Sequence, residues 1–97
     1  MVNETLDKEK INKLIEIFRK GDFHKALEIC NYLLNKLGDE PFLYNLKGMT
    51  EIKLNEFDNS LNSFKKAIDI NSNFVEAYNN LATSYINLGQ FEKAINC

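Results

Sequence analysis

The sequence predicts an all-α array of stacked helical hairpins, and three observations lead there. First, the chain repeats every 34 residues: at that shift Gly21, Asn55 and Gly89 coincide, as do Phe23, Phe57 and Phe91, and Ala26, Ser60 and Ala94. Second, the apolar residues between these marks recur at three- and four-residue spacing, the period of an amphipathic helix. Third, no stretch of the 97 residues reads as a strand, a linker or a low-complexity segment. A repeat of this length cannot bury its apolar stripe alone, so neighbouring units stack.

Each element follows in order. In the first unit, Ile11, Leu14, Ile15, Ile17 and Phe18 form one stripe, with Thr5 or Asp7 as a suitable helix cap. His24 to Leu37 carries the next, through Ala26, Leu27, Ile29, Cys30, Leu33, Leu34 and Leu37. In the second unit one helix is expected from about Pro41 to Leu54 and another from about Glu56 to Ile70. Asp39-Glu40-Pro41 suits a helix start: acids favour the positive end of the dipole, and proline lacks an N–H that would be unpaired there. In the third unit Ala77, Tyr78, Leu81, Ala82, Tyr85, Ile86 and Leu88 make a stripe that Gly89 closes, and Phe91, Ala94 and Ile95 begin another. Tyr44 with Tyr78, Gly48 with Ala82, Ile52 with Ile86 and Leu54 with Leu88 extend the 34-residue register upstream.

Composition narrows the function. Twelve basic against 14 acidic residues give a net charge of −2, without the cationic excess of a dedicated nucleic-acid or polybasic membrane binder. No apolar run approaches the ~18 residues of a membrane span, and no basic-then-apolar leader opens the chain. A cytoplasmic module is expected. One histidine and two cysteines are too few for most metal sites, and no cofactor motif is visible.

A helix–turn–helix of this period with this punctuation resembles the tetratricopeptide repeat family over residues 7–97. The third unit carries the resemblance best, in Tyr78, Leu81, Ala82, Tyr85, Gly89, Phe91 and Ala94. The second has Tyr44, Gly48, Ser60, Phe64 and Ala67, but Lys47 in place of leucine and Ser72 in place of proline. The first departs most, with Lys10 at the aromatic position, Leu14 at the small one, and Cys30 and Leu33 replacing the aromatic and small residues of its second helix. The resemblance implies a right-handed helical-hairpin solenoid of about two and two-thirds repeats, a single domain over 1–97 with units 7–40, 41–74 and 75–97. The last unit stops 11 residues short. An uncapped end predicts either a longer natural array or a second copy covering the open C-terminal helix.

In such an array the first helix of each unit lines a concave groove, which implies a non-catalytic scaffold for a peptide or protein partner. By register the groove takes Ile15 and Arg19 from unit one, Asn45, Met49 and Lys53 from unit two, and Asn79, Asn80, Thr83 and Asn87 from unit three. Asparagine side chains can pair with a peptide N–H and C=O together. The chain nevertheless has 14 asparagines, 11 lysines and nine isoleucines, a bias that points to an AT-rich genome. The clamp of Lys and Asn with which tetratricopeptide co-chaperones grip a C-terminal carboxylate is not expected, since Ile11, Ile15, Leu46, Glu76 and Asn80 stand at its positions. An alternative is the N-terminal targeting or oligomerisation arm of a larger enzyme of glycosyl- or sulfotransferase type, which chains of this look resemble.

No catalytic constellation emerges. His24 suits a surface turn, Cys30 a packed core position and Cys97 an exposed end. Six residues separate Cys30 from His24, which puts them on different helix faces. Asn3-Glu4-Thr5 fits a glycosylation acceptor pattern that carries no weight without a leader.

Overall fold

The computed structural model describes residues 4–97, with side chains from Lys8 onward. Six helices follow one another: α1 (Glu4–Arg19), α2 (Phe23–Leu37), α3 (Pro41–Lys53), α4 (Phe57–Ile70), α5 (Val75–Asn87) and α6 (Phe91–Ile95). They form three hairpins stacked into a right-handed solenoid measuring 45 × 27 × 17 Å. Asn3 lies outside the described residues. Because α1 is already helical at Glu4, Thr5 and Asp7 fall inside it rather than at its start.

The three coinciding turns share one backbone. Gly21, Asn55 and Gly89 all adopt positive φ, at 87°, 62° and 75°. In each unit the residue after it donates its N–H to the carbonyl five residues back: Asp22 to Ile17, Glu56 to Glu51 and Gln90 to Tyr85, at 3.2, 2.8 and 2.8 Å. This is the closure that satisfies the last carbonyls of a helix, and it requires a residue that tolerates the left-handed region. Asparagine is one of the few non-glycine residues that does. The 34-residue punctuation is therefore a repeated helix stop.

Packing alternates along the chain. Within hairpins α1 meets α2, α3 meets α4 and α5 meets α6, while α2 packs on α3 and α4 on α5 to join the units. The core divides in two. Leu14, Ile17, Ala26, Cys30, Leu33, Leu43 and Leu46 form one cluster, and Phe64, Leu81 and Tyr85 form the other. Met49 packs against both and links them.

Close approach inside the second hairpin depends on Gly48. A Cβ built there would lie 2.5 Å from Cε1 of Phe64, whose ring is fully buried. The first hairpin meets the same demand with sizes exchanged: fully buried Leu14 occupies the register position of Gly48, and fully buried Cys30 that of Phe64. A second exchange accompanies it. In unit two the Lys66 ammonium lies over the Tyr44 ring at 5.8 Å. In unit one the same register positions hold Lys10 and Tyr32, with the ammonium 4.3 Å from the ring centre and 3.0 Å from the hydroxyl. The departures of unit one are thus matched substitutions.

Helix starts refine the reading from sequence. Pro41 is the first residue of α3, as expected, but Glu40 makes no capping bond with its side chain. Asp39 instead accepts a hydrogen bond from the Tyr44 hydroxyl at 2.8 Å. Tyr78, one repeat later, donates to the carbonyl of Ser72 at 3.2 Å. In both units this tyrosine ties the helix back to the loop that precedes it. At the far end α6 is five residues long, and Phe91 and Ile95 are 61% and 80% exposed. Phe57 and Leu61, their counterparts one repeat earlier, are half-buried.

Gly48→Ala tests the close approach. Alanine in a helix interior is favoured over glycine by about 0.5–1 kcal/mol, yet overpacking against a ring with nowhere to move costs about 1–3 kcal/mol. The substitution is expected to lower stability in urea unfolding; an increase would show that Phe64 yields.

Candidate partner-binding groove

The inner face of the solenoid is identified by which helices touch across a hairpin. α3 and α5 pack directly on one another, with no comparable contact between α2 and α4. α3 and α5 therefore share the inner layer, with α2 and α4 outside it, and the 34-residue register assigns α1 to the same face. The contact line is marked by a hydrogen bond between side-chain amides, Asn80 Nδ2 donating to Asn45 Oδ1 at 3.0 Å. Between units one and two the corresponding step is apolar, with Ile11 packed on the cluster that contains Leu46.

Helical spacing extends that line into a surface. Asn45, Met49 and Lys53 are four residues apart on α3, as are Asn79, Thr83 and Asn87 on α5 and Ile11, Ile15 and Arg19 on α1. Residues so spaced share a face. Along α3 exposure rises outward: Asn45 is buried, Met49 half-buried and Lys53 exposed. Asn45 also directs its Nδ2 at the Met49 sulfur, 3.8 Å away. Its amide is engaged within the protein, and Asn80 is half-buried beside it. Asn79, Thr83, Asn87, Arg19 and Lys53 are exposed, while Ile15 is half-buried against the first cluster. The Thr83 hydroxyl donates back to the carbonyl of Asn79 at 3.1 Å. The nine residues assigned to the groove thus divide into exposed amides, charges and the Thr83 hydroxyl, an apolar floor, and one internal amide strut.

The five clamp positions carry no cation here. Ile11 and Ile15 pack on the core, Leu46 is 7% exposed, Glu76 is an exposed acid and Asn80 is bonded to Asn45. Two clefts lie away from this face. One, of ≈ 370 Å³, sits between α1 and α2 against Lys10, Lys13, Glu28, Ile29 and Tyr32. The other, of ≈ 420 Å³, borders the α5–α6 turn from Gly89 to Lys93.

The remaining reactive side chains have structural settings. His24 is exposed at the start of α2. Cys30 is fully buried, and burial pushes its thiol up to about 12, so it stays protonated and serves as a small apolar filler. Cys97 is exposed and directs Sγ to the carbonyl of Lys93 at 3.3 Å. Among the described residues no group of three His, Cys, Asp or Glu side chains is placed to hold a metal ion.

Glu51, which the sequence reading passes over, is set apart by its burial. It stands at the register position of Ile17 and Tyr85, is 4% exposed, and accepts a hydrogen bond from Ser63 Oγ at 2.5 Å. Burial holds its carboxyl above the ordinary value of 4.5, opposed by the Ser63 hydrogen bond and by Lys47. The signal was available: an acid in a register position that is apolar or aromatic in the other units.

The comparisons with known proteins agree with this architecture. Two profiles described as tetratricopeptide repeat match residues 43–74 and 63–96. Stress-induced-phosphoprotein 1 of Caenorhabditis elegans is 30% identical over 77 residues, which cover 79% of this chain and 24% of that protein. Tetratricopeptide repeat protein 12 of Mus musculus is 30% identical over 90 residues, 93% of this chain and 12% of that protein. The chain therefore spans a quarter or less of these curated relatives' length. In structure, the TPR2AB domain of yeast Sti1, solved as a pHSP90 complex, superposes with a TM-score of 0.90 at 25% identity. The match covers 98% of this chain and 37% of that one. None of these matches supports the alternative of a glycosyl- or sulfotransferase arm.

Glu51 supplies a test by pH. A carboxyl whose folded value is raised contributes its stability fully below the ordinary range and loses it as pH rises through the folded value. Glu51→Gln keeps an acceptor for Ser63 and removes the buried charge. It is expected to raise the melting temperature at pH 7–8, with the gain shrinking as pH falls through the raised value toward 4.5. A gain independent of pH would place the effect elsewhere.

Proposed function

Since the chain belongs to the tetratricopeptide repeat family, we propose that it is a non-catalytic scaffold that holds a peptide or protein partner in the inner groove. The observation that carries this reading is the packing of α5 on α3 along the inner face, where the Asn80–Asn45 bond joins the two helices and Asn79 and Asn87 stand exposed beside it. A preformed surface loses little conformational freedom on binding, so its few polar contacts count toward affinity. The exposed amides supply both donors and acceptors for an extended backbone. Ile15 and Met49 offer an apolar floor, and Arg19, Lys53 and Thr83 flank it. The pHSP90 complex of the yeast Sti1 TPR2AB domain supports a peptide or protein as the partner class. Nothing at the clamp positions supports capture of a C-terminal carboxylate in the same manner. The setting proposed is the cytoplasm.

The groove is tested by substitution on its two faces. Asn79→Ala with Asn87→Ala and Lys53→Ala is expected to weaken a partner recovered by selection by about tenfold or more, as two or three lost polar contacts do. Lys25→Ala on the outer helix α2 is expected to leave it unchanged. Equal effects on both faces would remove the groove from the reading.

Self-association is a second reading, favoured by the exposure of Phe91 and Ile95. A second copy seated on them predicts a mass in solution that rises over a hundredfold range of concentration under reducing conditions, which exclude a Cys97 disulfide. Phe91→Ser with Ile95→Ser should then return the monomer; a constant monomer mass removes this reading.

A further inference from the structure

If the inner groove holds a partner as proposed, its uncommitted charges decide what kind of segment it takes. Arg19 is the chain's single arginine, and Lys53 stands one repeat later at the same register position; they close the last turns of α1 and α3. Both are exposed. The carboxylates nearest to them in sequence are engaged elsewhere. Glu16 pairs with Lys20 at 3.0 Å and with Lys13 at 3.8 Å. Asp22 accepts from the backbone N–H of Lys25 at 3.3 Å, at the start of α2. Glu51 is buried on Ser63 at 2.5 Å, and Glu56 accepts from the Asn59 amide at 2.9 Å. Among the described residues, neither Arg19 nor Lys53 has a carboxylate within ion-pair distance. The negative end of a helix dipole favours a cation in the last turn, but it leaves the donors of a guanidinium and an ammonium unoccupied.

The surface around these cations is graded. One turn before them on the same face lie Ile15 and Met49, half-buried and apolar. On α5 the equivalent positions are Thr83 and Asn87, and Glu76 opens that helix with an exposed acid. The groove is cationic and apolar over α1 and α3, and neutral to acidic over α5, in a chain whose net charge is −2.

We infer that the groove selects an extended peptide segment in which Asp or Glu side chains pair with Arg19 and with Lys53 while adjacent apolar side chains lie on Ile15 and Met49. Guanidinium and ammonium groups bind carboxylates through charge-assisted hydrogen bonds, and the arginine fork does so with two at once. The recognised acid is a side chain within the segment. The clamp that grips a terminal carboxylate would need its Lys and Asn side chains where Ile11, Ile15, Leu46, Glu76 and Asn80 stand, and of these only Asn80 is a neutral polar group, already bonded to Asn45. Acidic residues placed near Glu76 on α5 are repelled, so the acids of the segment are favoured over α1 and α3.

The test is selection of a random peptide library, about 12 residues long with both ends blocked, against the 97-residue chain. Enrichment of Asp or Glu beside Leu, Ile, Phe or Met is expected. A selected peptide, synthesised with acetylated and amidated ends, should lose roughly tenfold or more affinity for the Arg19→Glu/Lys53→Glu chain and weaken as salt is raised. Should charge reversal disturb folding by circular dichroism, Arg19→Gln/Lys53→Gln should show a smaller loss in the same direction. Enriched peptides without acids, or affinity indifferent to these variants, overturn the inference and leave the groove standing. Peptides that bind only with a free C-terminal carboxylate overturn it in favour of terminal capture. No enrichment at all overturns the groove reading together with it.

Discussion

The stack depends on how closely two helices of one hairpin can approach. Where they cross, one side must give up volume that the other fills, because interiors pack at near-crystalline density and tolerate neither a void nor an overlap. Unit two meets the constraint with Gly48 under the Phe64 ring, leaving no room for a single added methyl. Unit one meets it with Leu14 and Cys30, both fully buried. Size has moved from one helix to the other while the contact is kept. The exchange of Lys10 with Tyr32 against Tyr44 with Lys66 is the same logic applied to a cation and a ring. A unit that departs from its neighbours one residue at a time is regular when residues are taken in facing pairs.

Polar groups then set the register between units. Apolar contacts are non-directional, so a stack of similar stripes can slide. Two buried or half-buried pairs oppose sliding, Asn80 with Asn45 at 3.0 Å and Ser60 with Ser84 at 2.7 Å, and a third, Ser63 with Glu51 at 2.5 Å, fixes α4 on α3. The first two cross from unit two to unit three, and the third joins the helices of unit two. Each such bond contributes only about 0.5–1.5 kcal/mol, but leaving one of its members buried and unpaired costs about 1–3 kcal/mol. The penalty on the wrong arrangement exceeds the gain from the right one. Specificity of stacking follows from that asymmetry.

The same accounting of partners separates scaffold from surface. Glu16, Asp22, Glu51 and Glu56 all have assigned roles in holding helices, caps or the core. Asn45 is an internal strut although its sequence context matches that of exposed Asn79. What remains uncommitted on the inner layer is a short set of amides and two cations above an apolar floor. A groove built from helix faces is rigid, so its chemistry is presented in fixed order from α1 to α5.

By itself the sequence determined the helical hairpins, their 34-residue period and their stops. Helix periodicity and the demand for a left-handed residue at Gly21, Asn55 and Gly89 are local properties, readable from neighbours along the chain. It also determined that Cys30 is a core residue and that the clamp positions lack cations. The pairing across helices was decided by the tertiary structure alone. That Cys30 answers Leu14, that Tyr32 answers Lys10, that Asp39 turns to Tyr44 rather than capping α3, and that Asn45 is engaged while Asn79 is exposed all depend on which side chain faces which. Facing partners lie 16 to 35 residues apart, or across a loop, and a periodic pattern specifies the face of a helix without specifying what stands opposite. Burial made Glu51 distinctive for the same reason: a single acid in an apolar register gains its meaning only when a second helix closes over it.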